Sequence, residues 1–236
     1  MKKSQIYIIL MICLLLFTFI LIQHTVVESF SKKNILTFDS TQKWDNRYLK
    51  QINSLSKDTK NKIKNVLHMD YHTKYEYPNV LKQVHTDITD LLQKKKLRTK
   101  ERIQEISTEV SNEGLIRKFN IKDKNTRQNI LRITYKLNPI VLYIKQHYNR
   151  VRPSFVNKNI QPVVEIPSHP SYPSGHAISA FVTAYLLPKK DLQQNLKIAE
   201  RIALNREIGG VHYKSDTDYS RTLAPKILNL YNDLYK

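Results

Sequence analysis

Asn129-Ile130-Leu131-Arg132-Ile133-Thr134-Tyr135-Lys136-Leu137-Asn138-Pro139-Ile140-Val141-Leu142-Tyr143-Ile144-Lys145 is the stretch whose period decides the fold. Ile130, Ile133, Leu137, Ile140, Val141 and Ile144 recur at helical spacing, so one stripe of a helix faces a core. Pro139 inside the stretch predicts a kink or a split, because proline removes a backbone donor and crowds the preceding turn. Similar spacing appears on both sides of it. Trp44, Tyr48, Leu49 and Ile52 fall on one face, and Ile63, Val66 and Leu67 continue it. Val80, Leu81, Val84, Ile88, Leu91 and Leu92 form a clear stripe, and Ile103, Ile106 and Val110 a shorter one. Ile178, Phe181, Val182, Tyr185 and Leu186 give an apolar helix nearer the C-terminus. No stretch shows the sustained alternation of a strand, and there is neither a repeat nor a Gly/Ser linker. The pattern predicts one all-α domain, a single helical bundle, over residues 41–236.

The N-terminus has a different character. Met1-Lys2-Lys3 is followed by Ile6 to Ile22 without a charge. At about 1.5 Å per residue that run is just long enough to cross a bilayer core. It predicts a membrane anchor over residues 1–25 and a polar stalk over 26–40. A cleaved signal peptide is the competing reading, but Gln23-His24-Thr25-Val26-Val27 offers no small-x-small cleavage site. Lys2 and Lys3 favour a single-pass protein with its domain on the non-cytoplasmic side, or a secreted one if the segment is removed. No later segment is apolar enough to span. The lone cysteine, Cys13, lies in the apolar run, which rules out an intramolecular disulfide and a cysteine-based zinc site.

The formal net charge of +19 over 236 residues fits nucleic acid, an anionic membrane or small anionic substrates, and does not choose among them. The run Lys94-Lys95-Lys96 reads as an exposed helix end rather than a contact for lipid headgroups or nucleic acid.

Chemistry concentrates in three segments. Of four glycines, Gly175, Gly209 and Gly210 lie within a few residues of a histidine, which signals special backbone demands there. In Lys145-Gln146-His147-Tyr148-Asn149-Arg150-Val151-Arg152-Pro153, Lys145 closes a helix. Pro153 holds Arg152 extended, so that the two cations can converge on one anion. In Ser171-Tyr172-Pro173-Ser174-Gly175-His176-Ala177, Ser174 is placed as an N-cap, and the free N–H groups behind it form an anion site with His176 in the first turn. In Arg206-Glu207-Ile208-Gly209-Gly210-Val211-His212-Tyr213-Lys214-Ser215-Asp216, His212 and Asp216 stand four apart. If that stretch is helical, the carboxylate holds one imidazole nitrogen and the other points outward, as in a catalytic dyad.

Together the segments resemble the type 2 phosphatidic acid phosphatase superfamily, with its bacterial class A acid phosphatases and vanadium haloperoxidases. The family pattern K-x6-RP, PSGH, SR-x5-H-x3-D is matched in order by Lys145 with Arg152-Pro153, by Pro173-Ser174-Gly175-His176, and by Arg206 with His212 and Asp216. Asn205 stands where the family has serine, a position without an essential chemical group. The resemblance implies an all-α bundle and a role for each residue. His212 attacks phosphorus and becomes phosphohistidine, Asp216 orients it, and His176 serves as general acid and base. Lys145, Arg152, Ser174, Gly175 and Arg206 hold the phosphoryl oxygens. No metal and no cofactor is expected, and vanadate is expected to act as an inhibitor or phosphate mimic.

The favoured reading is a metal-independent phosphatase for phosphate monoesters, closest in style to class A acid phosphatases. Its substrate is a phosphorylated small molecule or a lipid phosphate. A vanadium-dependent haloperoxidase-like enzyme and a non-catalytic basic membrane-tethered module are the alternatives. Nucleic acid is not an expected partner, and the sequence is silent on oligomeric state.

Overall fold

A computed structural model describes Met11, residues 37–69 and residues 80–235. Residues 36–236 form one compact unit. The anchor expected over 1–25 lies, Met11 aside, outside the described residues. Among the described residues no helix is long and apolar enough to cross a membrane.

The unit is helical, and the described residues contain no β-sheet. Its α-helices are α1 (Asn46–Asn53), α2 (Lys57–Leu67), α3 (Leu81–Lys94), α4 (Lys100–Thr108), α5 (Asn112–Arg117), α6 (Lys124–Tyr148), α7 (Pro153–Val156), α8 (Gly175–Leu186), α9 (Leu192–Ile208) and α10 (Lys214–Tyr235). Their starts follow local chemistry. Asp45, Ser56, Thr99, Ser111, Asp123 and Ser174 each accept a hydrogen bond from a first-turn N–H, which satisfies donors the helix cannot.

Helix α8 is the axis. It is apolar nearly all round, with Ala177, Ile178, Ala180, Phe181, Val182 and Ala184 buried. Such a helix is stable only when surrounded. Helices α9 and α10 pack closely along it, and α5 and α6 cover further sides. Its alanines permit close approach, while Phe181 fills the space between neighbours. Helix α6 presents the predicted stripe, with Ile130, Ile133, Leu137, Ile140, Val141 and Ile144 all buried.

Several expectations are corrected. Of the two outcomes expected of Pro139, the split is absent, because α6 runs continuously from Lys124 to Tyr148. Trp44 precedes α1, and Val110 lies beyond α4 and is exposed. Residues 37–40, placed in the stalk by sequence, belong to the helical unit. Phe38 is fully buried there and donates its N–H to the Asn149 carbonyl at 2.8 Å. The run Lys94–Lys96 is not a simple solvated helix end. Lys94 pairs with Asp90 and with Glu207 of α9. Lys95 donates to the Asn159 carbonyl at 3.0 Å and to Gln161 Oε1 at 2.6 Å.

Candidate active site

The three segments meet at the ends of α6 and α9 and at the starts of α8 and α10. Lys145 sits in the last turn of α6. The chain then turns through Asn149, in the left-handed region at φ 48°, into the extended Arg152 that caps α7. Pro153 enforces that extension, as the sequence indicates. Ser174 caps α8 through its Oγ, which accepts from the Ala177 N–H at 3.4 Å, and places His176 in the first turn. Arg206 is in the last turn of α9. Gly210 follows at φ 78°, where an added Cβ would fall 2.8 Å from Arg98 Nη2 and 2.9 Å from Ile160 Cγ2. Gly210 is therefore a position where both the left-handed backbone and the close neighbours require glycine.

His212 and Asp216 do not share a helix. Helix α10 begins at Lys214, so His212 lies in the bend before it. The pair nevertheless closes, with His212 Nδ1 3.0 Å from Asp216 Oδ2. The Tyr213 N–H donates to the same oxygen at 3.1 Å. Asp216 thus caps its own helix start while holding the imidazole. With Nδ1–H engaged, Nε2 carries the lone pair, 3.2 Å from Arg152 Nη1.

Arg152 is fully buried. It donates to the carbonyls of Val211 at 2.8 Å and His169 at 3.0 Å, and its Nη2 lies 3.0 Å from His169 Nδ1. Lys145 is also buried, its ammonium donating to the carbonyls of Pro170 and Ser171 at 2.9 Å and to that of Pro173. It thereby gathers the turn that leads into α8. Arg206 Nη2 donates to the Ile106 carbonyl at 3.0 Å and to Glu109 at 3.3 Å, while its buried Nε has no partner among the described residues. His176 Nε2 bonds the Val110 carbonyl at 2.8 Å.

This concentration of buried cations sets the electrostatics. Burial, then Arg152 and Lys145, hold the His212 pKa well below the usual histidine value. Burial and then Arg206 lower His176 to about 4, against the Val110 hydrogen bond. Burial lowers Arg152 to about 10. Burial and then Arg152 push Lys145 well down, with Asp216 opposing. A cluster of cations that burden one another, beside imidazoles kept neutral, is suited to receive an oxyanion. Phosphate and vanadate share the tetrahedral charge and shape that such donors fit. Among the described residues no group of three or more His, Cys, Asp or Glu side chains is arranged to hold a metal ion.

Residues that sequence reasoning did not single out complete the site. Arg150 is fully buried and donates from Nη1 to Asp216 Oδ1 at 2.5 Å and from Nη2 to Asp87 Oδ2 at 2.8 Å. Asp87 lies on the apolar stripe of α3 between Val84 and Leu91, and a carboxylate on such a stripe was its available signal. Glu109 receives Arg206 and both bonds of Asn205, at 2.9 and 3.0 Å. Nothing local in the sequence marks Glu109. His169 packs edge-on against Tyr48, ring centroids 4.7 Å apart, and touches Arg152.

No curated protein matches the chain. A solved structure described as the first bacterial vanadium-dependent iodoperoxidase aligns at 17% identity, over 62% of this chain and 49% of that one, with a TM-score of 0.45. The chain therefore spans about half the length of that structure, and the likeness is too slight to carry an argument. The PAP2 superfamily, which takes in phosphatases and vanadium haloperoxidases, matches by family profile over residues 130–225. That interval holds all three segments whose side chains converge here, so the PAP2 likeness of this chain rests on the residues of the candidate site itself.

Proposed function

We propose that the chain is a metal-independent phosphatase that hydrolyses phosphate monoesters through a phosphohistidine on His212. The observation that carries this reading is the alignment of His212. Its Nδ1 is tied to Asp216 and its Nε2 lone pair faces Arg152, beside Lys145 and Arg206. Phosphoryl transfer needs little beyond positioning and charge stabilisation. Lys145, Arg152 and Arg206, with Ser174 and the Gly175 N–H at the start of α8, receive the phosphoryl oxygens. His212 Nε2 attacks phosphorus as the ester P–O bond breaks, and His176 gives its proton to the departing alkoxide. His176 then takes a proton from water, which attacks the phosphohistidine and releases inorganic phosphate. Asp216 stabilises the imidazolium character that develops on His212.

The substrate is a phosphorylated small molecule, as for class A acid phosphatases, or a lipid phosphate brought near by an N-terminal membrane anchor. The test uses the full chain with p-nitrophenyl phosphate and phosphatidic acid, each with EDTA, with vanadate and with His212→Ala. Turnover is expected to survive EDTA, to be blocked by vanadate, and to fall at least about 1,000-fold in the variant. Loss of activity in EDTA, or activity retained in His212→Ala, would overturn the proposal. Peroxide-dependent halide oxidation with vanadate, without ester hydrolysis, would replace it with the haloperoxidase reading.

A further inference from the structure

We infer that Arg150, itself held by Asp87 of α3, is a positioning residue that fixes the Asp216 carboxylate so that its second oxygen stays on His212. The inference rests on the reading of His212 as nucleophile.

The two oxygens of Asp216 are divided. Oδ2 serves the His212 ring and the Tyr213 N–H, while Oδ1 accepts from Arg150 Nη1 at 2.5 Å. A carboxylate tied at both oxygens cannot swing about its last torsion. Arg150 is tied in turn. Nη1 also reaches Ser215 Oγ at 2.7 Å, and Nη2 reaches Asp87 Oδ2 at 2.8 Å. The guanidinium lies over the Tyr213 ring, 3.9 Å from its centroid. Asp87 braces the same turn directly, accepting from the Ser215 N–H at 3.3 Å and from the Ser215 hydroxyl. Thus Arg150 grips Asp216, Ser215 just before it and the Tyr213 ring.

Arg150 differs from the phosphate-facing cations. Each hydrogen bond from its Nη atoms goes to Asp216, Ser215 or Asp87. Burial works against its charge, but Asp216, Tyr213 and Asp87 outweigh that and hold its pKa above the ordinary arginine value. Arginine is the residue that can span two carboxylates at once, because its fork presents donors in fixed directions. Asp87 gives α3, which lies outside the family match, a direct mechanical link to the dyad.

The consequence is a split between turnover and binding. Arg150 acts through Asp216, so its loss lowers kcat and leaves the affinity for phosphate alone. The experiment compares full-length wild type, Arg150→Met, Arg150→Lys, Asp87→Asn, Asp216→Asn and Arg150→Met/Asp216→Asn. Steady-state kinetics use p-nitrophenyl phosphate, with inorganic phosphate as competitive inhibitor and circular dichroism melts as the check on folding. Arg150→Met is expected to lower kcat about 10–100-fold, the range for residues that orient a reacting group from behind. KM and the phosphate inhibition constant should stay within about twofold, and Asp87→Asn should show a smaller loss of the same kind. The double variant should be no slower than Asp216→Asn alone, since an indirect effect is spent once its intermediary is gone. A purely structural role would make the two losses multiply.

A second readout does not need turnover: the hydrogen-bonded Nδ1–H proton resonance of His212, assigned by its absence in His212→Gln. It should shift or vanish in Arg150→Met. Should Arg150→Met fail to fold, the near-isosteric Asp87→Asn and Arg150→Lys carry the same comparisons. An inactive wild type would sink the phosphatase reading while leaving the resonance to decide this one. Folded variants with wild-type kcat and an unmoved resonance, a change in KM alone, or multiplying losses would overturn the inference.

Discussion

His176 carries two demands that pull apart. As the general acid of the proposed mechanism it must hold a proton when the alkoxide leaves, yet burial and then Arg206 lower its pKa to about 4. In the ligand-free site it is therefore neutral above mildly acidic pH. A bound phosphate dianion reverses the sign of its surroundings, because negative charge favours the protonated imidazole. The alkaline limb of kcat reports His176 with substrate bound, and that of kcat/KM reports it free. The expected outcome is that the limb of kcat lies at higher pH than the limb of kcat/KM, with the optimum mildly acidic to neutral. Coincident limbs, read from pH profiles with p-nitrophenyl phosphate, would show that substrate charge does not tune this histidine. A similar lesson comes from Asn205. From sequence it is a departure without chemical consequence, but its amide donates to both Glu109 oxygens in a buried setting. Asn205→Ser, which restores the family's residue, shortens that reach and strips Glu109 of two donors. It should cost about 1–3 kcal/mol, the penalty for unpairing a buried polar group. At about 2–4 °C per kcal/mol for a chain of this size, a melting curve resolves the loss, and an unchanged midpoint would contradict it.

At the scale of elements, the legible parts were those whose information is local. The stripe of α6, the all-round apolar α8, the Ser174 cap and the extended Arg152 each follow from a few neighbouring side chains, and each stands where the sequence puts it. The joint spacing of the three segments marks the side chains that converge. What the sequence did not disclose depends on partners far along the chain. The carbonyls of Ile106 and Val110, at the end of α4, occupy Arg206 and His176. No periodicity announces that a helix end will lie against two site residues about a hundred and about sixty-six positions away. The split that Pro139 allowed does not occur, for the complementary reason. A proline inside a helix costs local hydrogen bonding, but packing of α6 on both sides of it keeps the helix continuous. This arrangement makes α4 testable as an element. Glu109→Ala leaves Arg206 with a carbonyl alone and removes the buried carboxylate that balances it. Breaking such a pair from one side costs about 3–5 kcal/mol. The variant should melt far earlier than wild type, whereas Glu105→Ala, which removes an ion pair to the exposed Arg201, should lose about 1 kcal/mol or less. Equal losses would show that α4 is held by its surface pairs instead.

The molecule as a whole places many like charges around one buried site, and this couples stability to pH. His176, His212 and His169 all have pKa values lowered in the folded chain, with burial the first cause for each. When pH falls below the ordinary histidine value of about 6.5, the unfolded chain takes up protons that the folded one refuses. Stability is therefore lost as pH falls from about 6.5 toward the folded-state values, which for His176 is about 4. Glu109 and Glu207 act in the other direction. Burial raises their pKa values, so above the ordinary carboxylate range the folded chain retains protons that the unfolded one has released. Their contribution is lost as pH rises. The histidines outnumber them, and each histidine that becomes protonated adds to a chain already at +19, which increases self-repulsion in the compact state. The melting temperature should therefore fall steadily between pH 7 and pH 4.5. His212→Gln, which leaves a side chain of similar reach without a titrating group, should flatten that slope while lowering the midpoint at pH 7. A melting temperature constant across this range, or a slope unaffected by His212→Gln, would mean that these imidazoles do not set the acid limit. Under the proposed function, the protons that the folded site refuses are those a bound phosphate would stabilise, which ties the acid limit of the fold to the charge of its substrate.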